Sequence, residues 1–255
     1  MAILEIKSLT KVFGGLTALS GVNIEVGEGE LIGLIGPNGA GKTTVFNLLT
    51  GIYAATSGEI LLNGRPLNGL KPYQITRRGI ARTFQNIRLF NELSVLDNVR
   101  IAYHRHVKSS MLASVLRLPG FSREERELKA KALELLEIFH LTGRKDQLAR
   151  NLSYGEQRRL EIVRALATGP QLLLLDEPAA GMNPQETNEL VQLVRWLRER
   201  FGLTIILIEH DMGLVMQLCE RIYVLDYGLV IAEGAPETIK RDPRVIQAYL
   251  GEEAS

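Results

Sequence analysis

The sequence predicts an α/β fold built on a parallel sheet with crossover helices, and three observations carry that expectation. A strand-like run at residues 30–35 ends in a glycine-rich loop from which a helix starts. Residues 172–175 form an unbroken apolar run, as a strand buried on both faces requires. After it, strand and helix patterns alternate in the β-α-β succession of a parallel sheet.

Length and composition narrow the class. The chain has 255 residues, enough for one large or two small domains with a proper core. Thirty Lys and Arg against 29 Asp and Glu leave a net charge of +1, so no broad field draws the chain onto nucleic acid or an anionic membrane. A single cysteine, Cys219, excludes an intrachain disulfide and fits a reducing compartment. The longest apolar runs fall far short of the ~18 residues of a membrane helix. Glu5 and Lys7 near the start predict no export signal.

Each element has a local reason. Residues 2–7 and 22–26 alternate as strands. Residues 59–62 followed by Asn63-Gly64 predict a hairpin, because that pair supplies the positive φ angles of a type I′ turn. The helix that leaves the glycine loop ends near Thr50-Gly51. Ser94 with Asp97 starts a helix, and Ser122 with Glu125 reads as the capping box of another. Leu128, Ala132, Leu135, Leu136 and Phe139 then share one face of that second helix. Between the two, residues 104–121 read as an insertion. Ser153 and Glu156 form a capping box before a helix carrying Leu160, Val163, Leu166 and Ala167. Asn183, Pro184 and Glu186 supply N-cap, N1 and N3 of a helix reaching about Arg200. Residues 203–208 and 221–226 are further strands.

Two motifs carry chemistry. Gly36, Pro37, Asn38, Gly39, Ala40, Gly41, Lys42 and Thr43 satisfy G-x-x-x-x-G-K-[ST] between a strand and a helix. Such glycines let backbone N–H groups converge on phosphate oxygens, and the helix adds its positive end. Lys42 offers an ammonium to the β- and γ-phosphates, and the Thr43 hydroxyl suits Mg²⁺. The pattern predicts a nucleoside triphosphate site. The apolar run 172–175 ends in Asp176-Glu177. Asp176 at the sheet edge suits the Mg²⁺ shell, and Glu177, expected to point elsewhere by strand alternation, suits a general base for water.

In this company the segment Leu152-Ser153-Tyr154-Gly155-Glu156-Gln157 resembles the L-S-G-G-Q signature of ATP-binding-cassette (ABC) ATPases. The motifs stand in family order over essentially the whole chain. Tyr154 replaces the first glycine and Glu156 the glutamine, while Ser153 and Gly155 are kept. The resemblance implies a P-loop NTPase (RecA-like) core with an antiparallel β-subdomain, at 1–86 and 166–255, and a helical subdomain at 87–165. It implies ATP and Mg²⁺ as ligands, with Thr44 beside Thr43 in the loop. Phe13, before Gly14-Gly15, resembles the aromatic that stacks on adenine. Gln85 in Thr83-Phe84-Gln85 resembles the glutamine that reaches metal and attacking water, and His210 resembles the switch histidine at the γ-phosphate. Ser153 and Gly155 would contact the ATP of a second ATPase subunit, identical or paralogous, bound head to tail. Asn183 stands where the family most often has aspartate.

Longer strings, such as residues 81–90, 176–184 and 208–212, resemble the ATPases of branched-chain amino-acid importers, and the insertion at 104–121 resembles the longer ATPase of that system. The implied protein powers a permease, with a binding protein as indirect partner, from the cytoplasmic face of a bacterial or archaeal membrane. A short permease helix would dock beside Gln85, near Ile87, Leu89 and Phe90. The ATPases of urea importers and of lipopolysaccharide export share several strings, and a non-transport ATP-dependent switch is a third class. The residues' own chemistry reaches ATP hydrolysis; the solute comes from resemblance alone.

Overall fold

Two sheets carry the site, and both belong to one compact unit. The computed structural model describes residues 2–103 and 119–253. They divide into a unit of residues 1–85 and 171–255 and a unit of residues 86–170. The first contains a four-stranded antiparallel sheet in the order β2-β1-β4-β5, formed by β1 (Ala2–Phe13), β2 (Leu16–Gly27), β4 (Ser57–Leu62) and β5 (Arg65–Pro66). Its second sheet has the order β10-β9-β3-β8-β7-β6. There β3 (Leu31–Ile35), β6 (Ile80–Arg82), β7 (Leu172–Asp176), β8 (Thr204–Ile208) and β9 (Arg221–Asp226) are parallel, and β10 (Leu229–Gly234) runs antiparallel at the edge.

The central strands read as they fold. Every residue of β3, β7 and β8 is buried, which is why their sequences are apolar without alternation. Asn63 and Gly64 adopt φ 50° and 68°, the two positive angles of the expected turn. The helix Lys42–Leu49 stops at Thr50, with Gly51 at φ 70°. Asn183 caps Pro184–Phe201 through Oδ1, which accepts from the Gln185 and Glu186 amides, while Glu186 reaches back to the Asn183 amide at 2.9 Å.

In the second unit, helices Val95–Tyr103, Pro119–Ile138 and Tyr154–Ala167 pack against one another. Ser94 caps the first, its hydroxyl accepting from the Asp97 amide. Ala132, Leu135, Leu136 and Phe139 are buried on the expected face. The helix start differs from expectation. It already runs from Pro119, so Ser122 lies inside it, and a capping pattern in mid-helix has no free amides to satisfy. Residues 104–118 of the expected insertion lie outside the described residues. Ile87 and Leu89 are half-buried, whereas Phe90 is 46% exposed under the Arg164 guanidinium. Buried Asn98 exchanges hydrogen bonds with the Phe90 backbone, fixing the turn that follows Gln85 in the chain.

One glycine shows how closely the antiparallel strands approach. At the β1/β4 irregularity a Cβ on Gly58 (φ 88°) would lie 2.4 Å from the Ser8 carbonyl oxygen and 2.6 Å from Leu9 Cα. At Gly64 (φ 68°) a Cβ meets nothing within 4 Å. Gly64→Ala should therefore cost only the left-handed backbone, about 1–2 kcal/mol. Gly58→Ala adds a backbone clash and should cost about 3 kcal/mol or more. Urea midpoints of the two variants check the order; equal losses would contradict it.

Candidate functional site

The site lies at the carboxyl ends of the parallel strands, where α/β sheets present loops and helix starts. Residues 36–43 turn from β3 into the helix Lys42–Leu49. The turn is possible only with glycine at two points. A Cβ on Gly36 (φ 146°) would stand 2.0 Å from the Leu225 carbonyl oxygen, and one on Gly41 (φ 109°) 2.7 Å from Leu19 Cδ2. Asn38, Gly39 and Thr43 are exposed, Pro37 and Ala40 are buried, and Thr44 is half-buried. Lys42 is only 6% exposed, and its ammonium donates to the Gly36 and Pro37 carbonyls at 2.6 and 2.8 Å. The loop thus holds a cation at its centre, within reach of its own backbone.

Asp176 ends β7 and is 4% exposed. Its Oδ2 accepts from Arg82 Nη2 at 2.7 Å, and Arg82 Nη1 donates to Asn47 Oδ1 at 2.7 Å. Glu177 then leaves the strand with φ 47°. Strand alternation therefore does not separate the two carboxylates, as the sequence reading expects; a left-handed residue does, at a cost of order 1–3 kcal/mol. Its amide donates to the Ile208 carbonyl at 2.9 Å, which anchors the turn to β8.

That turn delivers Glu177 to two polar side chains. Gln85 Nε2 donates to Oε2 at 2.6 Å, and His210 Nε2 stands 3.0 Å from Oε1. The three side chains come from the ends of β6, β7 and β8. Each oxygen of one carboxylate is fixed by a different loop. Phe13, at the turn between β1 and β2, is 38% exposed and meets Tyr53 edge to face at 5.1 Å, with Lys11 Nζ 4.7 Å over its ring. Ser153 and Gly155 lie in the second unit. There Ser153 Oγ accepts from the Glu156 amide, Glu156 accepts from the Ser153 amide at 2.9 Å, and Arg144 pairs with the same carboxylate at 3.1 Å. Tyr154, 48% exposed, accepts at its hydroxyl from Arg158.

The sequence reading misses Arg82, Asn47, Lys11, Tyr53 and Glu209. Glu209 is 4% exposed and accepts from the Ala179 amide at 2.8 Å and the His210 amide at 3.1 Å, tying the chain after Glu177 to the histidine. Burial pushes its carboxyl above the usual range, against the pull of those amides. A charge directly after a buried run, as at Glu209, or inside a short strand, as at Arg82, is the signal that could have found them.

Oxygen donors at Thr43 and Asp176 suit Mg²⁺. Among the described residues no group of three His, Cys, Asp or Glu could hold a metal unaided. Mg²⁺ is ordinarily bound by one or two carboxylates plus phosphate oxygens.

Comparison with known proteins points the same way. The family described as "ABC transporter" matches residues 19–180, and "Branched-chain amino acid ATP-binding cassette transporter" matches residues 230–255. The chain is 50% identical over 250 residues, 98% of either sequence, to the high-affinity branched-chain amino acid transport ATP-binding protein BraF of Pseudomonas aeruginosa. It is similar to the ADP conformation of MJ1267, an ATP-binding cassette of an ABC transporter, with TM-score 0.84 and 33% identity over 98% of this chain and 99% of that one. It also resembles the dimeric bacterial ABC transporter cassette MJ0796, with TM-score 0.78 and 29% identity over 91% and 98%.

The cap at Ser153 makes a pH prediction. The Ser153 amide first, then its hydroxyl and Arg144, hold the Glu156 carboxyl below the usual range. A depressed carboxylate contributes its stability above the unfolded value, about 4.3, and loses it as pH falls through the folded value. Acid titration followed by circular dichroism should show that loss in wild type below about pH 4 and not in Glu156→Gln. Coincident acid profiles would contradict it.

Proposed function

The chain belongs to the ABC transporter ATPase family, and from that premise we propose that it is the ATP-hydrolysing subunit of a branched-chain amino-acid importer, bound peripherally to permease subunits on the cytoplasmic side of the membrane. The observation that carries the chemistry is the clamp on Glu177, whose two carboxylate oxygens are fixed by Gln85 and His210. The match of residues 230–255 and the likeness to BraF support the solute class.

The roles follow from the geometry. ATP phosphates lie along the backbone amides of residues 36–43, and Lys42 exchanges its two carbonyl partners for phosphate oxygens. Phe13 offers its exposed face to the adenine, with Tyr53 bracing the ring edge-on. Thr43 and Asp176, with Gln85, would hold Mg²⁺, and the ion would supply neutralisation of charge on the β- and γ-phosphates. Glu177 takes the proton of the water that attacks the γ-phosphorus, and the bond to the leaving oxygen of ADP breaks. His210 holds the carboxylate from the other side and takes a γ-phosphate oxygen as its second partner.

A second copy or a paralogous subunit supplies Ser153 and Gly155 to this ATP. The Ser153 hydroxyl and the amides of a capped helix start suit an anion, and the solved dimeric cassette supports association of two such chains. No helix among the described residues is long and apolar enough to cross a membrane.

Three measurements test the reading. Lys42→Ala should abolish hydrolysis and greatly weaken ATP binding; near-normal turnover would remove this loop as the active site. Glu177→Gln keeps the size but offers one accepting oxygen in place of two and cannot take the proton, so single-turnover hydrolysis should fall ~10²–10⁴-fold, roughly 3–5.5 kcal/mol of barrier, with ATP still bound. A fall below about tenfold puts the base elsewhere. In reconstituted membranes, a permease together with a binding protein loaded with leucine, isoleucine or valine should stimulate the ATPase. Stimulation by urea, or none by these amino acids, would overturn the solute class.

A further inference from the structure

Asp176, one of the two residues assigned to Mg²⁺, is joined to the helix that carries the other, Thr43, by a side chain that the reaction itself does not use. Arg82, the last residue of β6, donates from Nη2 to Asp176 Oδ2 and from Nη1 to Asn47 Oδ1, both at 2.7 Å. Asn47 stands four residues beyond Thr43 on the helix Lys42–Leu49, so both lie on one helix face. The guanidinium sits 5.4 Å from the Phe46 ring and 4.9 Å from the Phe84 ring. Side chains of Arg82 and Asp176 are each 5% exposed. Nε has no hydrogen-bond partner, so the terminal nitrogens and the two ring contacts hold the group.

This arrangement does more than neutralise a buried carboxylate. A single lysine ammonium would serve for that, but it could not span Asp176 and Asn47 in one plane, as a rigid guanidinium does. With Oδ2 engaged, the Asp176 carboxylate cannot rotate freely, and its orientation is referred to the helix that carries Thr43. We infer that Arg82 is a positioning residue for the metal site, fixing Asp176 against the phosphate-loop helix so that its carboxylate and the Thr43 hydroxyl address the same ion. The inference rests on the assignment of Asp176 to Mg²⁺ made above. Partners that orient metal ligands commonly contribute 10–100-fold to metal affinity.

Arg82→Lys keeps the charge and removes the span. Mn²⁺ serves as the probe, titrated by electron paramagnetic resonance into protein with substoichiometric ATP. The expected result is a 10–100-fold weaker Mn²⁺ affinity, with binding of a fluorescent ATP analogue in EDTA unchanged, because residues 36–43 are untouched. The free Mg²⁺ giving half-maximal hydrolysis should rise in parallel. Equal Mn²⁺ affinity in wild type and Arg82→Lys would overturn the inference, as would a matching loss of EDTA binding, which marks a general structural role. If Arg82→Lys does not fold, Asn47→Ala decides. It leaves the ion pair in place, removes the tether to the helix, and should weaken Mn²⁺ in the same direction; no change overturns the inference. Asp176→Asn separates the two levels of argument. Weakened Mn²⁺ there with normal Mn²⁺ in Arg82→Lys and Asn47→Ala refutes only the role of Arg82, and normal Mn²⁺ in all three refutes the metal assignment as well.

Discussion

Close approach of backbones around the phosphate loop is the constraint on which the rest of the molecule depends. Gly36 packs its α-carbon against the Leu225 carbonyl of β9, and Gly41 packs against Ala18 and Leu19 of β2. Gly228, in the β9–β10 turn, presses on Ala18, donates its amide to the Ala40 carbonyl at 3.0 Å and accepts from the Ser20 amide at 2.9 Å. The loop is therefore braced by both sheets. Any side chain at Gly36 or Gly41 would push one of those sheets away, and the cost would fall on the core that β1, β2, β3 and β9 share. A loop braced on this scale is held in one shape, which is what preorganised charge stabilisation of a bound phosphate would need.

The same economy of motion governs Glu177. A residue in the left-handed region is strained, and the strain persists only because neighbouring contacts over-determine it. Here the Glu177 amide is tied to β8, Ala179 and His210 are tied to one another through buried Glu209, and both side-chain oxygens are held. The carboxylate thus belongs to three loops at once. Moving Gln85 or His210 moves an atom of the group proposed to take the proton, so these loops can report on each other without any long relay.

How far the sequence discloses this depends on the range of the interaction. Asn63-Gly64, the Ser153–Glu156 box and the Asn183–Glu186 box are legible because donor and acceptor lie within four residues. The buried strands β7 and β8 are legible because a parallel sheet covered on both faces leaves no polar side to mark. The phosphate loop and Asp176-Glu177 are legible as spacing. Arg82 with Asp176 and Asn47 is not, since its partners lie 94 and 35 residues away. Nor is β10, a half-exposed edge strand whose pairing with β9 gives it its conformation. The helical conformation at Pro119 is not legible either, because Ser122 and Glu125 form a capping pattern where the chain is already helical.

What remains is how a small chemical step becomes mechanical. The phosphate loop and the Glu177 clamp lie wholly in the unit formed by residues 1–85 and 171–255, whereas Ser153 and Gly155 lie in the unit of residues 86–170. In the proposed assembly the signature serine that meets one ATP comes from the other chain, so ATP is a ligand of the associated state far more than of the separate chains. A ligand shifts such an equilibrium only by its differential affinity for the two states, and a swing from 1:99 to 99:1 needs about 5.5 kcal/mol. In that assembly, cleaving the bond to the γ-phosphate would remove the group on which Lys42, His210 and the second chain's serine converge, and with it that difference in affinity. Hydrolysis would then reopen the proposed assembly because the closed state has lost its ligand, and no stored strain in either unit has to be invoked.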